Sequence, residues 1–332
     1  MKRNTVEVKK YKMVKENTMY RIIALRDFGN VKKGDKGGLV YHNFNLSHDG
    51  NCWIEYNATV RDNAKVFEDA IVEGDAFVVG DSEVYGNARV CNNAIIRGSA
   101  IVRGNARVGG NAIIEDTAII RGNANVFENA KVRDEAIVNG FTKVHGHADI
   151  SGKAFISGNA EVEGKAIVRG CSSVEWVAKV FENAIVEGNS SVYGYARVHG
   201  SARVRDNAKV YDEAIVRGDS LICYNAKVRE EAIIRGSAIL RDDSIAEGNA
   251  ILEGDAVLEG DARVIHGKHT NKVQYIKGTD YTATVDGEYI NINARSYTPK
   301  EWPTIIDNWV IDSDKKEEYK GIVLFLKNTY MV

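Results

Sequence analysis

Val84-Tyr85-Gly86-Asn87-Ala88-Arg89 decides the fold: an aliphatic residue, a variable one, a Gly-Asn pair, a small residue and a second variable one. The same order recurs on both sides of this stretch. From Ala58 to Ala262 every sixth residue is Ala, Ser or Thr, giving 35 units. Two positions after each small residue stands an aliphatic one, from Val60 through to Val264. Ala246 is the one weak member, and no insertion or deletion breaks the register.

Residues two apart share one face of a strand, so the small and aliphatic residues point inward together and the variable ones outward. Gly and Asn in the turn pair tolerate the backbone angles of a tight corner. A six-residue strand and corner cannot bury a core alone and must stack on its own copies. Three units then make an 18-residue triangular coil. Thirty-five units give about twelve coils, a prism roughly 55 Å long at the usual strand spacing.

The unit resembles that of the hexapeptide-repeat family, aliphatic–x–x–x–small–x. That resemblance implies a left-handed coil, against the usual right-handed crossover rule. The expected fold class is therefore an all-β solenoid, a left-handed parallel β-helix over residues 56–265. A β-rich cap over residues 1–55 and a small α+β module over residues 266–332 complete it.

In the cap, Tyr20-Arg21-Ile22-Ile23-Ala24-Leu25 reads as a strand. Gly29-Asn30 and Lys33-Gly34-Asp35-Lys36-Gly37-Gly38 read as turns. A cap is needed because a bare coil offers unpaired strand edges. Arg21 to Phe28, the Gly37-Gly38 pair and Asn51-Cys52-Trp53-Ile54 resemble an uncharacterised bacterial and phage-borne family called YdcK-like, commonly labelled acetyltransferase. In the C-terminal module, Tyr281–Val285 and Tyr289–Asn293 flank Asp286-Gly287, a hairpin signal. Thr298-Pro299-Lys300-Glu301-Trp302 reads as a helix start, with Thr298 at the N-cap, and a second helix is expected from Asp314 to Lys327.

Outward residues one coil apart fall into columns. One runs Arg61, Val79, Arg97, Glu115, Arg133 and onward to Arg241 and Glu259, an alternation that suits salt-bridge ladders. A second contains Phe67, Tyr85, Arg103, Arg121, Asn139 and, further on, Tyr193, Tyr211 and Arg229. Aromatic faces beside guanidinium groups suit nucleobases and phosphates, so Tyr85, Arg103, Arg121, Tyr193, Tyr211 and Arg229 are the candidate ligand-binding residues. Stacking along a sheet explains the same aromatics without any ligand. A third column holds Phe127-His145-Glu163 and Phe181-His199-Arg217, the Phe–His pair recurring three coils on. His145 and His199 are the candidate catalytic residues, weighed against solvated histidines in a duplicated segment.

Apolar outward residues also align: Phe77, Ile95, Ile113, Ile167, Ile185, Leu221, Ile239 and Val257 in one column, Ile101, Ile119, Ile137 and Phe155 in the next. Such stripes favour subunit packing, and the resemblance implies a homotrimer.

The net charge of −2 gives no pull toward nucleic acid or membrane, and acidic residues interrupt each basic column. No apolar run reaches the ~20 residues of a membrane span. Cys52, Cys91, Cys171 and Cys223 are widely spaced, so free thiols in a reducing cytoplasm are expected, with no Cys/His metal site. No phosphate loop, HExxH sequence or GxSxG elbow is present. The resemblance implies an acyl-CoA-dependent acyltransferase with a histidine base and acetyl-CoA as cofactor. The loop that such enzymes expel from a coil is absent here. The expectation is a non-enzymatic binding or scaffolding protein without a cofactor, sequestering a small anionic, nucleotide-like ligand in inter-subunit clefts. Acyltransferase is the alternative.

Overall fold

The computed structural model describes residues 9–277, 281–286, 288–293 and 295–331. It divides into two compact units, Met1–Gly170 and Cys171–Val332. Each carries a segment of parallel β-solenoid.

The first unit opens with three strands. β1 (Tyr11–Glu16) and β2 (Met19–Ala24) form an antiparallel hairpin, and β2 pairs with β3 (Lys36–Val40). β3 then runs parallel to the first coil, Leu39 opposite Thr59 and Val40 opposite Val60. The cap thus occupies the edge that the coil would otherwise leave open. Gly37 and Gly38 lie inside β3, which corrects the turn expected there. Their role is close approach: a Cβ on Gly37 would lie 2.5 Å from the Trp53 ring, and one on Gly38 2.4 Å from the Ala58 carbonyl oxygen. Under the cap the Lys10 ammonium is buried and donates to the carbonyls of Asp49 at 3.2 Å and Cys52 at 3.0 Å. The first eight residues of the basic N-terminal stretch lie outside the described residues.

From Trp53–Ile54 onward, two-residue strands recur at every hexapeptide and pair in parallel with the strands one coil away, on three faces. Ile101 stands opposite Ile119 and Val102 opposite Ile120. The small and aliphatic positions are sealed: Ala100, Val102, Ala106 and Val108 have no exposed surface. Three hexapeptides per coil and parallel pairing are what the sequence pattern requires, and they accord with the left-handed helix implied by the resemblance.

The corners follow from the same chemistry. The first residue of each turn pair has positive φ, as in Gly86 (74°) and Glu128 (61°). At many corners where an acidic residue takes this place, its carboxylate accepts the backbone N–H of the equivalent residue one coil on. Glu128 accepts from Gly146 at 2.7 Å and Asp134 from Gly152 at 2.8 Å. The side chain so satisfies a donor that would otherwise face water. Asparagines at the second turn position form ladders, Asn87 to Asn105 at 3.1 Å and Asn105 to Asn123 at 3.0 Å.

The second unit repeats this construction up to Arg263–Val264. One more strand, Lys268–His269, pairs with Ile251–Leu252, but it arrives one position short of a full coil, as the hexapeptide register ends. An antiparallel meander of Tyr275–Lys277, Thr282–Asp286, Tyr289–Ile292 and Arg295–Tyr297 follows. The hairpin expected around Asp286 is present, with Asp286 opposite Tyr289; its Gly287 lies outside the described residues. α1 (Trp302–Asp307) begins later than Thr298 predicts. Glu301 does bond back to the Thr298 N–H at 2.9 Å, but that closes a turn, and Pro303 occupies the first helical turn. α2 (Ser313–Tyr330) runs past its expected end at Lys327. Tyr281, Ile290, Ile292, Trp302, Ile306, Tyr319 and Leu326 form the core of this module.

Candidate ligand-binding surface

In the first unit the column Phe67–Tyr85–Arg103–Arg121 is assembled by strands in register. Each of these residues follows a buried aliphatic one and precedes a corner, so all point outward on one edge. The Phe67 and Tyr85 rings stack, with centroids 4.6 Å apart and planes 11° from parallel. Arg103 Nη1 donates to the Tyr85 hydroxyl at 3.3 Å. Arg121 follows one coil on, and its buried Nε has no hydrogen-bond partner. Among the described residues no carboxylate pairs with Arg103 or Arg121. The nearby acids are engaged elsewhere: Glu83 with Lys65 at 3.4 Å, and Glu68 with the Gly86 N–H at 2.9 Å.

Arginines of the charge-alternating column behave differently. Arg97 pairs with Glu115 and Arg241 with Glu259, as the charge alternation predicts. Arg133 turns sideways to Asp149 at 2.9 Å instead of along its column. Such exposed pairs contribute little to stability.

In the second unit Tyr193 and Tyr211 stack at 4.9 Å and 6°. Burial, with Tyr211 adding to it, pushes the Tyr193 hydroxyl above its usual range. Arg229 lies next in the column, but Glu247, only 3% exposed, takes its guanidinium with an Nε to Oε2 distance of 2.6 Å. Glu247 binds Arg263 as well. The six candidate residues therefore fall into two sets, Tyr85, Arg103 and Arg121 in one unit and Tyr193, Tyr211 and Arg229 in the other. Only the first set leaves guanidinium charge without a carboxylate.

The two candidate catalytic histidines stack on their phenylalanines, His145 on Phe127 at 4.7 Å and His199 on Phe181 at 4.4 Å. Their surroundings differ. His145 Nε2 meets Glu161 at 3.2 Å and Glu163 at 3.5 Å, while Nδ1 faces Glu128 at 3.9 Å. Among the described residues His199 has only Glu182, 3.6 Å from Nδ1. A search of the sequence for Cys/His clusters passes over the His145 grouping. Its signal is a pair of carboxylates in the coil that follows the histidine, visible once the coil length is known.

The apolar columns are broken into shorter runs. Phe77, Ile95 and Ile113 pair in succession, but Lys131 and Asp149 separate them from Ile167. Ile101, Ile119, Ile137 and Phe155 remain continuous. These side chains are half-buried because each covers its neighbour. The four cysteines are free thiols, two of them buried. Among the described residues no helix is long and apolar enough to cross a membrane. No protein-family model matches the chain, and no curated protein matches it.

Proposed function

We propose that this chain is a non-enzymatic binding protein that holds a small anionic, nucleotide-like ligand against the Phe67–Tyr85–Arg103–Arg121 column. The observation that carries the reading is the pair of guanidinium groups one coil apart with no carboxylate between them. Like charges opposed across a ladder destabilise it. A phosphate accepting from both would remove that repulsion and meet donors suited to it. The Phe67–Tyr85 stack beside them offers an apolar face for a base.

The reading takes the chain as a hexapeptide-repeat β-helix of the YdcK-like kind. It places the protein in a reducing cytoplasm, in keeping with its free thiols. It also takes the continuous Ile101–Ile119–Ile137–Phe155 run as the contact surface of a homotrimer, whose clefts would seclude the ligand. Isothermal titration with ADP and with inorganic phosphate tests the proposal. Arg103→Ala and Arg121→Ala should each weaken ADP at least tenfold, and Arg229→Ala should leave it unchanged. Unaltered affinity in the first two variants, or no ADP binding by the native chain, would overturn it. Binding of acetyl-CoA with transfer of its acyl group would put the acyltransferase reading in its place.

A further inference from the structure

We infer that His145, Glu161 and Glu163 form a binding site for a divalent first-row transition metal, with Zn2+ as the best-matched ion. Three neighbouring strand positions deliver the ligands. His145 and Glu163 lie one coil apart in the same column, and Glu161 lies on the strand that pairs with Lys143–Val144. One atom from each of the three converges within 4.8 Å of the others.

His145 Nε2 lies within hydrogen-bond distance of Glu161, and the same spacing suits a shared metal ion. Here Nε2 stands 3.2 Å from one carboxylate oxygen and 3.5 Å from the other. A tetrahedral ion about 2.0–2.2 Å from each ligand sets ligand atoms about 3.3–3.6 Å apart. One imidazole nitrogen and two carboxylates form a mixed donor set suited to Zn2+, Co2+ or Mn2+, whereas Ca2+ and Mg2+ favour oxygen alone. The three side chains are half-buried, so the remaining coordination position opens to water.

The ring is held ready. It lies 5° from parallel with Phe127, and Glu128 faces its other nitrogen, an outer carboxylate of the kind that orients metal-bound histidines. Glu128 is itself fixed by the Gly146 N–H.

The second Phe–His pair is an internal control. Phe181, Glu182, His199 and the Gly200 N–H repeat the stack, the facing carboxylate and its 2.7 Å backbone bond. The positions equivalent to Glu161 and Glu163 are Ile215 and Arg217. Coil construction therefore explains the Phe–His–Glu grouping in both places, and the two carboxylates beside His145 are what sets this copy apart.

The test uses the full chain after chelator treatment, with Zn2+ titrated against a chromophoric competitor. One equivalent of Zn2+ should bind per chain. His145→Ala and the double variant Glu161→Gln, Glu163→Gln should each weaken that binding at least tenfold, while His199→Ala leaves it intact. Failure of the native chain to compete for Zn2+, or undiminished competition by the double variant, would overturn the site. Co2+ added to the unaltered chain gives a readout free of any folding effect. Visible d–d bands stronger and further to the red than those of aquated Co2+ support the site, and a spectrum unchanged from aquated Co2+ rejects it.

Discussion

At the scale of single residues, the repeat leaves little choice at its small position. That position is sealed inside the coil, and alanine fills it without adding a polar group. Serine is accepted where its hydroxyl finds a carbonyl, as Ser82 does at Val79 (2.9 Å) and Ser220 at Arg217 (3.0 Å). Ser244 and Thr142 are buried and their hydroxyls have no partner. An unsatisfied buried hydroxyl costs about 1–3 kcal/mol, so Ser244→Ala should stabilise the protein by about 1 kcal/mol. Urea unfolding checks this, and a lower midpoint for the variant would contradict the account. This position was legible from sequence because its period is strict. The use of corner carboxylates was not: Glu128 and Asp134 look like ordinary turn residues until the coil places a backbone N–H one turn away from each.

At the scale of elements, the hairpin Thr282–Asp286 and Tyr289–Ile292 is fastened to the last coil by one buried carboxylate. Asp286 accepts from the N–H groups of Ile265 (2.6 Å) and His266 (2.9 Å), from Asn291 (2.9 Å) and from His269 Nε2 (2.6 Å). Burial disfavours the charged forms of both partners, but these bonds outweigh it. Asp286 stays below its ordinary 3.8 and His269 rises above its ordinary 6.5. The His269 contribution is therefore whole below pH 6.5 and fades as pH rises through its folded value. The Asp286 contribution is whole above pH 3.8 and fades as pH falls through its own. The pair is strongest between about pH 4 and 6.5. Hydrogen exchange of the 282–292 segment, corrected for intrinsic rates, should show more protection at pH 6 than at pH 8.5. Asp286→Asn should abolish the difference, and equal protection in the native chain would contradict the coupling.

The hairpin itself was readable from Asp286-Gly287, because turn chemistry is local. Its fastening was not, since it depends on where the chain leaves the hexapeptide register. The Gly37-Gly38 pair misled for a related reason. Glycine marks a corner and a close approach equally well, and only the positions of Trp53 and Ala58 separate the two. The helix start misplaced at Thr298 shows the same limit, with a capping pair closing a turn ahead of Pro303.

At the scale of the whole molecule, the architecture was almost entirely legible, because one six-residue pattern dictates strand, corner and stacking together. The functional surface was legible only as columns. Knowing the coil length brings Tyr85, Arg103 and Arg121 into line, and it also puts Glu247 one coil after Arg229, a place that the column read only as far as Arg229 leaves out. The difference between Arg229 and Arg103 lies in Glu247, which neutralises the first and has no counterpart beside the second. Likewise the outward isoleucines read as long stripes until Lys131 and Asp149 are seen to interrupt one of them.

Native mass spectrometry of the full chain with added ADP tests the central claim most directly, since a single spectrum reports both assembly and occupancy. The account predicts a trimer carrying one ADP per protomer, and no ADP on the Arg103→Ala, Arg121→Ala double variant. A native protein that stays empty, or a double variant that retains the nucleotide in full, would contradict it.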